Sequence, residues 1–207
     1  MTLPAFFAQA PRVRVHDALA EFLGAAEGGV VEYGYEDAVR LAGHSCPTVA
    51  GAYLMARAAL RTLYPDSLPE RGAVAVTMHA AESEGTTGVI AQVFTLLTGA
   101  AASNGFHGIG GRFTRSGLLH YGGDGAPAIA RFRRVDGGAS VQVSLDLASV
   151  PASPQLRTLM VQAMAPAAST EQRRAFAQAW QDRVRRLLLD HADDAAVIRV
   201  EREVALA

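Results

Sequence analysis

The residues most able to do chemistry in this chain lie in one short stretch, Gly43-His44-Ser45-Cys46-Pro47, which contains its only cysteine. Pro47 suits the first position of a helix, because its missing N–H would be unpaired there and its φ is already helical. Cys46 is therefore predicted at the N-cap or next to it, where backbone N–H groups and the helix dipole favour an anion such as a thiolate. Residues two apart in an extended segment project to the same side, so His44 and Cys46 can converge on one ion.

Three interpretations of this pair are open at the level of sequence. His44 and Cys46 can bind a transition metal, Cys46 can act as a nucleophile with a histidine base, or both can be structural residues. A zinc site needs three or four ligands, so metal binding requires further residues from elsewhere in the chain. The candidates in loop-like positions are His79, Glu82, Glu84 and His107.

Each of these four residues also has a structural interpretation. His79 can be a satisfied histidine packed beneath a helix, and His107 lies in a glycine-rich stretch that is typical of turns. Glu82 and Glu84 can stabilise the N-terminus of the helix that follows them. The choice between these roles and metal binding therefore depends on where the fold places the four side chains.

The composition excludes several classes of protein. The formal net charge is −1, which argues against nucleic acid as a partner, and none of the 19 basic residues is a lysine. Without lysine, a Walker A phosphate loop and Schiff-base chemistry are excluded. A single cysteine allows no intramolecular disulfide and favours a reducing compartment. No apolar run reaches the ~20 residues of a membrane helix and no basic leader is present, so we expect a cytoplasmic protein without a membrane partner.

The elements that must position these residues predict an α+β fold in one domain, residues 1–207. Apolar periodicity and glycine or proline breaks predict helices at 16–26, 35–41, 48–64, 87–97, 155–165 and 169–192. Alternating patterns predict strands at 30–33, 72–79, 112–121, 126–135, 139–148 and 195–204. The sheet is expected to be mixed or antiparallel, with an antiparallel meander in the centre of the chain. Helices would cover it, and additional C-terminal helices over 154–192 and a final strand would extend the core.

With these elements in place, the turn and its helix resemble the FmdE family, which takes its name from the enzyme formylmethanofuran dehydrogenase. That family's motif reads Gly-His-x-Cys-Pro-Gly before a helix with an alanine-rich face, and here Thr48 replaces the last glycine. A second block is similar as well, and it comprises the strand at 74–79, Glu82, the helix ending at Thr98-Gly99, and Ser103-Asn104-Gly105. The resemblance covers about residues 35–143.

The resemblance implies an FmdE-like α+β domain with a transition-metal site, usually zinc, at the His-x-Cys turn, and a tendency to form homodimers. This chain would be a variant, since it has neither the family's second cysteine nor its C-terminal zinc ribbon. We therefore expect zinc or another divalent transition metal on His44 and Cys46. The residues expected to complete the site are His79, His107, Glu82 and Glu84.

An open coordination position on such a metal would allow a small molecule to be bound or hydrolysed. Two alternatives remain beside this function. One is an enzyme that uses Cys46 as nucleophile with His44 or His79 as base. The other is a non-catalytic subunit without a site of its own.

Overall fold

The computed structural model describes residues 3–123 and 127–203, and within them it confirms the α+β prediction. The helices in these ranges are α1 (Ala18–Phe22), α2 (Tyr35–Ala42), α3 (Pro47–Leu63), α4 (Thr87–Thr98), α5 (Leu156–Met164) and α6 (Thr170–Leu189). The strands are β1 (Val13–His16), β2 (Val30–Tyr33), β3 (Val74–Met78), β4 (Leu119–His120), β5 (Ala130–Arg134), β6 (Ser140–Leu145) and β7 (Ile198–Glu203).

Five of the strands form one mixed sheet in the order β4-β3-β5-β6-β7. β3 and β4 run parallel, whereas the other neighbours are antiparallel. The predicted meander over 112–148 is thus confirmed only in its second hairpin, β5–β6. The first predicted strand is shortened to β4 and pairs with β3, and the residues before it form turns in which Arg115 points inward to Asp17. Residues 124–126, in the predicted turn and the start of the next predicted strand, lie outside the described ranges.

Helix α3 runs through the core and packs on β6, β7, α4 and α6. The residues of its predicted apolar stripe, all of them buried, are Val49, Tyr53, Ala56, Leu60 and Leu63. Gly51 allows the closest approach to the sheet, because a Cβ atom there would overlap with Leu145 Cδ2. The alanine-rich face and Gly51 therefore serve close packing, as their small size predicts.

The N-terminal segment differs from its prediction. The helix predicted at 16–26 is shortened to α1, and its first predicted residue ends β1, which pairs antiparallel with β2. Asp17 then caps α1, since its carboxylate accepts from the N–H groups of Leu19 (3.0 Å) and Ala20 (3.1 Å). Strand pairing and this cap override the amphipathic pattern, and Phe22 of the predicted apolar stripe is 59% exposed.

The C-terminal part adds a helical hairpin and an edge strand. α5 and α6 pack on each other, α6 also contacts α3, and β7 pairs antiparallel with β6. The predicted helices and final strand of this region are confirmed with small shifts of their ends, and Val204 lies outside the described residues. In the part of the chain that the structure describes, no helix combines the length and apolar character that a membrane crossing requires.

Candidate functional site

The turn from Gly43 to Pro47 connects α2 to α3. Gly43 has a φ of 74°, a left-handed conformation that glycine adopts without strain, and its N–H donates to the Val39 carbonyl at 2.9 Å. Pro47 is the first residue of α3 and Cys46 is its N-cap, which confirms the prediction. Cys46 Sγ accepts a hydrogen bond from the Val49 N–H at 3.4 Å. The turn therefore fixes the thiol at the start of the central core helix.

His44 and Cys46 meet across this turn. His44 Nδ1 lies 3.0 Å from the Ala42 carbonyl oxygen, and because a carbonyl can only accept, Nδ1 carries the proton. In the neutral imidazole Nε2 is then bare, and it lies 3.4 Å from Cys46 Sγ. A tetrahedral zinc ion, with bonds of about 2.1 Å to nitrogen and about 2.3 Å to sulfur, holds two such ligand atoms about 3.6 Å apart. The pair fits two ligands of that ion, and it also fits a thiol donating to a histidine base.

Ser45, between the two reactive residues, is held by side chains from α2 and α6. Its carbonyl accepts from Trp180 Nε1 at 3.0 Å and from Gln181 Nε2 at 3.2 Å. Its hydroxyl donates to Gln181 Oε1 at 3.0 Å and accepts from the Tyr35 hydroxyl at 2.9 Å. Contacts from two helices thus immobilise the backbone between the imidazole and the thiol. Supporting contacts of this kind orient ligands and commonly change metal affinity roughly 10–100-fold.

The inner side of the turn is neutral, whereas its outer side meets solvent. Burial raises the pKa of Tyr35 above its ordinary value of 10.0, so its hydroxyl stays protonated and remains a donor to Ser45. His44 is exposed and Cys46 is half-buried. A fixed backbone therefore presents one nitrogen and one sulfur at the surface.

The other four predicted ligands lie in different surroundings. His79 is buried directly after β3 and packs on the Gly123 backbone, where a Cβ atom would lie 2.8 Å from its Nδ1. Glu84 and His107 are exposed in loops, and the His107 carbonyl accepts from the Thr114 hydroxyl at 2.8 Å. Glu82 is exposed on the wall of a cleft.

The structure brings His44 and Cys46 into contact, and among the residues that it describes it places no third ligand beside them. Within residues 3–123 and 127–203, no three His, Cys, Asp or Glu side chains are close enough to share a metal ion. Metal binding stays a prediction, for His44 and Cys46 as well as for the other four residues.

The cleft has a volume of about 360 Å³ and lies between α4, the end of α2 and the loops that follow β3 and β4. Its apolar walls include Leu41, Leu96, Ala101 and Leu119, and its polar side chains are Arg71, Glu82, Gln92, Thr95, Asn104 and Tyr121. Leu41 illustrates what the sequence pattern missed, because its helical spacing predicts an inward position and the structure leaves it 47% exposed. Glu82 was singled out by sequence, but no spacing signal connects it to Asn104 or Tyr121.

A second polar cluster lies inside the molecule, around Asp17. This carboxylate accepts from Arg71 Nη1 at 2.8 Å and from Arg115 Nη2 at 2.7 Å. Burial alone would raise the pKa of Asp17, but hydrogen bonds from Arg71 and the Ala20 N–H, together with the charge of Arg115, hold it below its ordinary value of 3.8. The hydrogen bonds that the Asp17 carboxylate can accept are already supplied by other groups of the protein. We therefore assign this cluster a structural role.

Comparison with known proteins leaves the site to be interpreted on its own geometry. No protein-family model matches this chain, and no curated protein matches it either.

The residues that sequence reasoning missed at the site are Tyr35, Trp180 and Gln181, which hold Ser45. Trp180, as the only tryptophan in the chain, was the one compositional signal among them.

Proposed function

We propose that this chain is an FmdE-like metal-binding protein in which His44 and Cys46 hold zinc or another divalent transition metal. The observation that carries the proposal is the pairing of a bare Nε2 with Sγ at 3.4 Å, on a backbone that α2 and α6 immobilise. The Nδ1–H bond to the Ala42 carbonyl adds to it, because metal-binding histidines usually donate their second ring nitrogen to such a group. The donor set, one imidazole and one thiolate, is the chemistry that zinc prefers.

Two protein ligands leave coordination positions for other groups. Glu82 stays a candidate ligand, and it lines a cleft that Leu41, three residues before His44, also lines. The proposal keeps His79, His107 and Glu84 as further candidates, together with a homodimer whose second copy supplies the missing ligand. A metal with an open position would supply Lewis-acid chemistry for a small molecule, in a cytoplasmic setting that keeps the thiol reduced.

The direct test is metal analysis of protein purified without added metal, followed by zinc titration under reducing conditions. Wild type is expected to bind one zinc ion per chain, and His44→Ala and Cys46→Ser are each expected to weaken binding at least about 100-fold. His120→Ala is the matched control, because His120 is an exposed histidine on β4 outside the site. Folded wild-type protein that cannot be loaded with zinc, or variants that bind like wild type, would overturn the proposal.

The contact between His44 Nε2 and Cys46 Sγ also favours one alternative function, in which Cys46 is a nucleophile and His44 its base. A nucleophile within hydrogen-bond reach of a base, with the base oriented by a third group, is the arrangement that such enzymes use. Here the third group is the Ala42 carbonyl.

Thiol alkylation separates the two functions. A metal-bound Cys46 is expected to react slowly with iodoacetamide until a chelator is added, whereas a catalytic thiolate reacts fast in metal-free protein. His44→Ala is expected to slow alkylation of the metal-free protein only if His44 serves as base. A rate that neither chelator nor this substitution changes would contradict both functions and favour a non-catalytic subunit.

A further inference from the structure

The cleft beside α4 has the dimensions of a ligand site. Its volume of about 360 Å³ falls within the range of small-molecule sites. α4 contributes Gly88, Gln92 and Thr95, which are spaced four and three positions apart and so share one face of the helix. Gly88 leaves room at the cleft wall, since a Cβ atom there would meet its nearest neighbour at an ordinary 3.5 Å.

The two charged side chains of the cleft differ in how far they are already satisfied. Arg71 donates from Nη1 to Asp17 at 2.8 Å and from Nε to the Leu96 carbonyl at 3.1 Å. Asp17 binds both Arg71 and Arg115, so the Arg71 guanidinium is already paired with a carboxylate. Glu82, by contrast, is exposed and forms no hydrogen bond or ion pair with another residue in the described ranges. Glu82 is therefore the charged side chain of the cleft that is left to pair with a ligand of opposite charge.

Three further polar side chains of the cleft have unused hydrogen-bonding capacity. Gln92 and Asn104 are exposed carboxamides and Tyr121 is a half-buried phenol, and within the described ranges their side chains make no hydrogen bonds. Carboxamides both donate and accept, so they can bind a polar group of either kind. Apolar walls beside them favour a ligand with an apolar body.

We propose that this cleft binds a small organic cation, an amine or amidine attached to an apolar body. The cationic group pairs with Glu82, the apolar body lies against Leu41 and Leu96, and Gln92 and Asn104 bind its remaining polar atoms. The inference goes beyond the metal proposal and does not depend on it, because none of the three arguments involves His44 or Cys46. The two proposals share Glu82, a candidate metal ligand, so cation binding is tested in metal-free protein.

Three probes of nearly equal size test the proposal, namely benzamidine, benzamide and benzoate, which are cationic, neutral and anionic. Binding is measured by chemical-shift titration of Cys46→Ser protein in the presence of a chelator, so that failure of the metal site cannot affect the result. Benzamidine is expected to bind with a Kd on the order of 1 mM, at least about tenfold tighter than benzoate, with benzamide between them.

Substitutions in and beside the cleft test whether the probes bind there. Glu82→Gln is expected to weaken benzamidine binding at least about fivefold while leaving benzamide unchanged, because only the charge is removed. Glu84→Gln is the matched control, since Glu84 is exposed two residues away and does not line the cleft. Gly88→Leu is expected to block all three probes by filling the cleft.

Three outcomes overturn the proposal. They are benzoate binding as tightly as benzamidine, an unchanged benzamidine affinity when Glu82→Gln is added to the Cys46→Ser protein, or shifts of the Cys46→Ser protein that saturate with none of the probes. Glu82→Gln keeps the side chain's shape at an exposed position, so its result stands even where Gly88→Leu does not fold.

Discussion

The polar cluster around Asp17 and the His44–Cys46 pair differ in burial, in charge and in how their polar atoms are paired. The cluster around Asp17 is buried, and its carboxylate accepts from two arginines and two backbone N–H groups. The His44–Cys46 pair carries no comparable set of charges, lies at the surface, and keeps a bare nitrogen and a sulfur directed at each other. The carboxylate of the first cluster is fully hydrogen-bonded within the fold, whereas the second is the pair to which we assign a ligand.

The comparison shows two ways of holding polar side chains in this chain, by charge around Asp17 and by neutral contacts around Ser45. The residues that hold the reactive pair are neutral, and Tyr35, Trp180 and Gln181 hold it through the intervening Ser45. A neutral clamp fixes geometry without a countercharge that would compete with a metal ion for the thiolate. We expect the two clusters to respond differently to substitution.

The largest expected effect is on stability, at Asp17. Asp17→Asn leaves two arginine side chains without their shared carboxylate, and Arg115 is itself buried, so the free energy of unfolding should fall by about 3 kcal/mol. Urea denaturation measures this loss, and zinc stoichiometry of the folded fraction should not change. Asp136→Asn removes an exposed ion pair with Arg134 and is expected to leave stability nearly unchanged. Equal losses of unfolding free energy in the two variants would contradict the structural role that we assign to the Asp17 cluster.

The second effect concerns the clamp on Ser45. Gln181→Leu removes one of the two donors to the Ser45 carbonyl and the acceptor for its hydroxyl. We expect zinc affinity to fall about tenfold and the free energy of unfolding to fall by about 1–2 kcal/mol. Gln178→Leu is the control, because Gln178 is exposed on the same helix. Competition with a chromophoric chelator measures affinity, and wild-type affinity in Gln181→Leu would mean that the clamp serves folding alone.

The smallest effect is a dependence of stability on pH near neutrality. The hydrogen bond to Glu70, with a contribution from Glu21, raises the pKa of His16 above its ordinary value of 6.5. A raised pKa in the folded state stabilises the protein below about pH 6.5, and this contribution is lost as the pH rises through the folded-state pKa. His16→Gln should abolish this part of the pH dependence, which we expect to be about 0.5 kcal/mol between about pH 6 and about pH 8.

Unfolding measured at these two pH values checks the effect. His120→Gln should keep the wild-type dependence, since His120 is exposed on β4 and makes no such pair. A wild type whose stability rises over this interval would contradict the assignment. In acid, stability changes with pH in the opposite direction. The lowered pKa of Asp17 stabilises the fold above about pH 3.8, and this contribution is lost as the pH falls further.

The parts of the fold that could be predicted are those that depend on local pattern. Helix α3 begins at Pro47 and has its predicted buried stripe, because proline placement and apolar spacing act within one element. The hairpin between β5 and β6 was equally predictable from Asp136-Gly137-Gly138. The helix predicted at 16–26 failed, because β1 pairs with β2 and Asp17 caps α1, and strand pairing is a contact between distant segments.

For the site itself, the sequence determined the reactive pair and its position at the N-cap of α3, since Gly43, Pro47 and the two-residue spacing act within a single turn. Only the tertiary structure decided what holds that turn and what lies beside it. Trp180 and Gln181 stand 135 and 136 residues from Ser45, and the cleft joins the end of α2 to α4 and to loops beyond β3 and β4. Contacts between side chains so far apart in sequence leave no periodic signal, because they follow from the packing of whole elements.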